Sequence, residues 1–274
     1  MTKTFMIAGT VSTDPPSCGA TRRPNLARRN VSSDLRALGI KPLLALAGVG
    51  ENLIDHCSVA LSWTAAPGML TTAAPLIQSV VRYTAEGSAQ QNDMQLMPLQ
   101  IAIESTIRLR ALLMKPFSRG RLSLSSANPS EQPHIRLNLA SHAEDIRRLR
   151  DGMRRLSAFA HTAECGATGS HSVSLEDGAT MPLADLEALL QQDAWIDDHI
   201  QRTVRHYVHP VGTARMGGVD DPGAVVDQYG RVHGIAGLRV ADASIMPTIP
   251  RANTNLACIV IGERVAGWMR EKDD

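Results

Sequence analysis

Two histidines three residues apart, His206 and His209, lie in the stretch HYVHPVGTARMG, where Gly212 and Gly217 flank a turn carrying Arg215. Imidazoles at that spacing on a helix share one face and could bind a metal ion. A single imidazole, with its pKa near neutrality, could instead take a proton from a substrate. A third reading is a polar loop with neither role. Pro210 ends any helix there and no third ligand follows at a familiar spacing, so no metal is assigned. No G-x-S-x-G elbow is present, which weighs against a serine hydrolase. Taken alone, His209 is as readily structural as catalytic.

The whole chain narrows the chemistry. Its 274 residues carry 28 Lys+Arg against 27 Asp+Glu, a net charge of +1, which gives no field for nucleic acid or an acidic membrane surface. Aromatics make up 3%, too few for base-stacking platforms. Cys18, Cys57, Cys165 and Cys258 form no CxxC pair, which favours a reducing, cytoplasmic setting over a disulfide framework or thiolate zinc site. No apolar run approaches the roughly 20 residues of a membrane span. The early stretch FMIAGTV faintly resembles a secretion signal, but STDPP interrupts it, and it reads as a short strand or an irregular start.

The elements that must position these residues fall into four segments. Residues 1–33 are turn-rich and basic, without periodicity. In 34–56, SSDLRALGI predicts a short helical turn capped by Ser33 or Asp34 and closed by Gly39, followed by the loop AGVGENLIDHC. From 57 to 205 strand signals come first. Met97, Leu99, Ile101 and Ile103 alternate, as do Leu122 with Leu124, and Ile135, Leu137 and Leu139, predicting an antiparallel sheet with one buried and one polar face. A helix follows, with Ser141 and Glu144 as a capping box and Ile146, Leu149, Met153, Leu156 and Phe159 on one face. Its arginines 147, 148, 150, 154 and 155 read as a solvated face rather than a nucleic-acid stripe. SHSVSLEDGAT reads as a loop and PLADLEALLQQDAWIDDHIQRTV as a further helical stretch. In 206–274, GLRVADAS predicts a short buried strand ending at Asp242, and a final helix starts near Asn253 and runs to about Arg270. Alone, Asp242 reads as a turn former and Asn253 as a helix N-cap.

HPVGTARMG at 209–217 and AVVDQYGRVHGIAGLRVADASIMPTIPRANTNLACIVIGERVAGW at 224–268 resemble the C-terminal region of the glucose–methanol–choline (GMC) family of flavin oxidoreductases. DLRALGI with GVGENLIDH resembles the loop those enzymes place beside their flavin, and SRGRLSLSSANPSEQPHIRLN the start of their substrate domain. The resemblance covers most of 34–270. It implies an α+β fold, an antiparallel-sheet substrate domain with flanking helices, plus the C-terminal strand–loop–helix piece of a Rossmann-like FAD domain. It further implies FAD-dependent oxidation of a small alcohol's CH–OH group, as in choline or alcohol dehydrogenases. His209 matches the family's catalytic base, and Asn253 the second active-site position, where an amide can hydrogen-bond the substrate oxygen. Asp242 matches the residue contacting the ribityl chain. Ala243 next to Asp242, and Asn253, Thr254 and Asn255 at the start of the last helix, match cofactor-contacting positions, and His206 has no match and reads as structural.

One part of the family pattern is missing. The G-x-G-x-x-G that cradles the pyrophosphate is nowhere in the chain, and GVGENL places Leu53 where its third glycine would stand. RPNL runs almost directly into the 34–56 segment, as though dozens of residues were deleted near residue 30. The expectation is a truncated GMC architecture that binds FAD weakly or not at all alone, or does so with a chain supplying the N-terminal half. A different class stays open beside it, a non-catalytic remnant or interaction module without flavin.

Overall fold

The computed structural model describes residues 31–271. The irregular opening segment, its signal-like stretch and the junction near residue 30 lie outside the described residues. In chain order the elements are helix α1 (Val31–Ala37) and strands β1 (Cys57–Thr64), β2 (Val81–Tyr83), β3 (Met94–Ile101), β4 (Thr106–Leu113), β5 (Arg121–Ser123) and β6 (His134–Arg136). Helices α2 (Ala143–Ala160) and α3 (Ala163–Gly166), strands β7 (Ser172–Leu175) and β8 (Thr180–Pro182), helices α4 (Leu183–Leu189) and α5 (Asp193–Thr203), strand β9 (Arg205–His206) and helix α6 (Asn255–Arg270) follow. The chain divides into two compact units. One is His56–Ser118 with Leu139–Tyr207; the other joins the described parts of 1–55 and 208–274 to Arg119–Asn138. The structure therefore groups 119–138 apart from the rest of the 57–205 segment.

The first unit holds a seven-stranded antiparallel sheet among the described residues, in the order β2-β3-β4-β1-β7-β8 with β9 also paired to β1. Side chains alternate along each strand, so Cys57, Val59, Leu61 and Trp63 of β1 and Leu109, Ala111 and Leu113 of β4 share one face. Leu149, Met153 and Leu156 of α2 and Leu186, Ile196 and Ile200 of α4 and α5 close on that face as the main core. Each such side chain contributes about 1.5–3 kcal/mol by leaving water. The other face is not simply polar. Met97, Leu99, Leu112 and Met114 form a second buried cluster there with Tyr207.

Helix α2 carries a buried ionic knot rather than an evenly solvated arginine face. Arg148 and its partners Asp93 and Asp145 have fully buried side chains, with contacts of 3.0 and 2.6 Å. Arg147 pairs with Glu144, Arg150 and Arg154 with Asp193, and Arg155 with Asp151.

Other local expectations change for physical reasons. The helix α2 cap is His142, whose ring accepts from the Glu144 N–H, not Ser141. Ile103 leaves the strand in a 3-10 turn (Ala102–Glu104) and is 92% exposed. SHSVSLEDGAT forms the β7–β8 hairpin, because Val173 and Leu175 reach the main core. The long helical stretch splits into α4 and α5, which bring Leu186 and Ile196 into that core. Helix α1 begins at Val31, ahead of Ser33 and Asp34, while Gly39 closes it with φ +75.

In the second unit β5 and β6 form a short hairpin of their own, with Leu124 and Ile135 exposed. GLRVADAS does not form a strand among the described residues. It opens on a turn at Gly237 and runs into a 3-10 turn at Ala243, with a single bridge, Arg231↔Arg239, between, and Leu238 and Val240 are only partly buried. A strand needs a neighbour to complete its ladder, and here the main chain pairs back on Gly230 and Val232. No helix among the described residues is long and apolar enough to cross a membrane.

Candidate active site

The second unit positions His209. Ile54 and Val211 exchange backbone hydrogen bonds of 3.0 and 2.8 Å, fixing 209–211 against the segment ending at Asp55. The His209 N–H donates to Asp55 Oδ1 at 2.9 Å. His209 is 9% exposed, and burial pushes its imidazole pKa below the ordinary value. The ring is therefore held neutral near pH 7, the state in which it can accept a proton.

Beyond His209 the loop runs beside Asp242–Met246. The N–H groups of Gly212, Ala214 and Met216 donate to the carbonyls of Ala243, Ser244 and Ile245 at 3.3, 2.9 and 2.7 Å. Gly212 has φ +95, and a Cβ there would collide with the Asn52 carbonyl oxygen. Asn52 itself has φ 59 and donates its side-chain amide to the carbonyls of Gly212 and Pro247. Sequence reasoning missed this clamp; the one signal is an asparagine, the residue that best tolerates the left-handed region apart from glycine, behind a two-glycine loop. Arg215 forms a bidentate pair with Asp221 at 2.6 and 2.7 Å, so it shapes the loop.

Asp242 caps a 3-10 turn (Ala243–Ile245), its Oδ1 accepting from the Ser244 N–H at 2.8 Å. Its charge reaches the first turn of α6: the Cys258 thiol pKa is raised by burial and then by Asp242. Ile54, Val211, Met246 and Ile249 form one cluster, with Ala257 and Cys258 packed against it. Two residues from His209, Val211 thus ties the loop to the start of α6. That start is Thr254, not Asn253, and no side chain caps it. Thr254 is buried; Asn253 and Asn255 are exposed. The structure thus gathers the His209 loop, Asp242, Ala243 and the head of α6 in one unit. His206 lies in the other, on β9 opposite Cys57, its pKa lowered by burial and by Arg205. No cluster of three or more metal-ligating side chains occurs among the described residues.

A model of the GMC oxidoreductase family matches residues 116–262. The chain belongs to the GMC oxidoreductase family. Among its relatives, 5-(hydroxymethyl)furfural oxidase of Methylovorus sp. (strain MP688) is 34% identical over 91% of this chain and 49% of its own length. Oxygen-dependent choline dehydrogenase 1 of Chromohalobacter salexigens is 30% identical over 93% of this chain and 50% of its own. The chain spans about half the length of these curated relatives. Solved structures share the fold: pyridoxine 4-oxidase from Mesorbium loti has a TM-score of 0.74 at 24% identity, over 89% of this chain and 48% of that one. An FAD-dependent oxidoreductase from Chaetomium thermophilum gives 0.71 at 17% identity, over 88% and 51%.

The residues present fit the flavin end of FAD and not its diphosphate. The uncapped head of a 16-residue helix offers free N–H groups and a positive dipole end, and Asp242 offers a carboxylate beside it. The GVG glycines are no phosphate cradle. Gly48 abuts the Gly223 carbonyl, Gly50 abuts the Leu122 carbonyl, and Leu53 bridges to Gly120 instead of opening a helix.

Proposed function

We propose that this chain forms the substrate and flavin-ring side of an FAD-dependent enzyme oxidising the CH–OH group of a small alcohol. The observation that carries the reading is His209, buried, neutral and held through its own N–H by Asp55. His209 takes the substrate's hydroxyl proton as the C–H bond breaks. The Asn253 amide donates to the substrate oxygen and orients it. Bound FAD supplies the hydride acceptor at its N5 atom. Thr254, Asn255 and the first N–H groups of α6 would face the flavin ring of bound FAD with their positive dipole end, and Asp242 with Ala243 would hold its ribityl chain. An alcohol substrate is supported by the relatives named for 5-(hydroxymethyl)furfural and choline. Cys165 and Cys258 are free thiols, which supports a cytoplasmic setting.

The phosphate cradle then comes from polypeptide outside these 274 residues, continuous with them or separate. The placement of Gly48 and Gly50 favours a second reading for the chain by itself, an interaction module without flavin. The visible absorption spectrum of the purified chain, before and after FAD is added, tests both. A colourless or substoichiometric preparation is expected, gaining flavin and alcohol-dependent bleaching once a polypeptide bearing the cradle is supplied. A full flavin complement in the chain alone would mean that an anchor has been overlooked. No flavin taken up even with that polypeptide supplied would leave the interaction module.

A further inference from the structure

The sheet unit has a pocket of its own, away from its helix-covered face. Ala60, Ser62, Arg108, Ser174, Glu176 and Gly178 surround about 250 Å³. Drug-sized ligands occupy roughly 300–1,000 Å³, so the guest is small. Alternation along β4 puts Arg110 on the same face as Arg108, with its Cα opposite Ala60. Arg205 of β9 lies opposite Ser58, with its Nε 3.7 Å from a carboxylate oxygen of Glu176. Glu176 thus pairs with Arg205, while the Arg110 guanidinium lies over the Tyr207 ring, 5.7 Å from its centroid.

Polar atoms here lack partners. Arg108 has no acceptor among the described residues. Glu176 Oε1 in the lining, and Arg110 Nε and Ser58 Oγ on the same sheet face outside it, are buried without a hydrogen bond. Buried polar atoms are rarely left so, and the cost of each is recovered by a ligand that bonds them. The Arg108 guanidinium in the lining suits a carboxylate, which accepts from a guanidinium fork. The Glu176 oxygen needs a donor. We propose that this pocket binds a small hydroxycarboxylate, its carboxylate on the Arg108 guanidinium and its hydroxyl donating to Glu176. The proposal concerns the sheet unit alone and is independent of the flavin reading.

Titration calorimetry of the purified chain at fixed ionic strength tests it, with sodium lactate as probe and propionate, the same shape without the hydroxyl, for comparison. Lactate is expected to bind saturably and more tightly than propionate. Arg108→Gln should weaken lactate about 10- to 100-fold, with Arg108→Lys, which keeps the charge but not the fork, intermediate. Glu176→Gln should narrow the gap between lactate and propionate. Arg108 has no partner to lose, so its variants should keep the parent's thermal midpoint. No saturable heat, equal affinity for lactate and propionate, or an Arg108→Gln variant that binds lactate like the parent would each overturn the proposal.

Discussion

Arg148→Met should be among the most damaging single substitutions in the sheet unit. The guanidinium donates to Asp93 Oδ2 at 3.0 Å, the Lys115 carbonyl at 2.9 Å, Asp145 Oδ1 at 2.6 Å and the Glu144 carbonyl at 3.1 Å. Methionine fills much of the space, so the loss is almost wholly electrostatic. Removing one partner of a buried ion pair costs about 3–5 kcal/mol, because the stranded charge stays buried. Both carboxylates keep other donors: the Ala85 N–H and Ser88 hydroxyl on Asp93, and the Phe117 and Ser118 N–H groups on Asp145. That puts the expected loss near the lower end, about 3 kcal/mol. At roughly 2–4 °C per kcal/mol the thermal midpoint should fall by about 6–12 °C. Far-UV circular dichroism in urea and on heating reads both values. Asp93→Asn and Asp145→Asn added to Arg148→Met should recover much of the loss, since no charge is then stranded. A single variant within about 1 kcal/mol of the parent would refute the reasoning, as would a triple variant no better than the single.

Gly212→Ala should cost about 1–3 kcal/mol in thermal unfolding, since its φ of +95 and the Asn52 carbonyl both oppose a Cβ. Asp55→Ala should cost a comparable 1–3 kcal/mol by leaving the buried His209 N–H without its acceptor, read from urea midpoints. His199 is buried against Trp195, its Nδ1 3.6 Å from Asp177 Oδ2 without a hydrogen bond, and burial holds its pKa below the ordinary value despite the pull of Asp177. The unfolded chain therefore binds this proton more readily, so the stability from neutral His199 is full above about pH 6.5 and lost as pH falls through the folded pKa. Urea midpoints at pH 7.5 and 5 should show that drop, and His199→Phe should make it smaller, the remainder coming from His206 and His209, whose pKa values burial also lowers.

The sequence made the sheet and the covering helix legible where alternation and helical period ran uninterrupted. Met97 and Leu99, and Leu149, Met153 and Leu156, are buried as their spacing predicts. It failed where tertiary partners decide. Val173 and Leu175 become a hairpin only because a core waits for them, and GLRVADAS makes a single bridge and no strand for want of a neighbouring one. Arg148 gave no local sign of burial, since its partner Asp93 lies 55 residues away in the chain. Within the candidate site, His209, Asp242 and the head of α6 stood out in the sequence through the family resemblance. The Asn52 clamp and the Asp55 tether needed coordinates, because each joins residues more than 150 positions apart.

The central claim is that His209 is the proton acceptor. The most direct test is the rate of flavin reduction by an alcohol, under anaerobic rapid mixing, in flavin-loaded protein carrying His209→Ala or His206→Ala. Both changes remove an imidazole from HYVHPVGTARMG, so each controls for the other. His209→Ala should slow reduction by roughly two to four powers of ten, the contribution of a positioned base, while His206→Ala changes it far less. Equal losses in the two variants, or an unchanged rate in His209→Ala, would contradict the account.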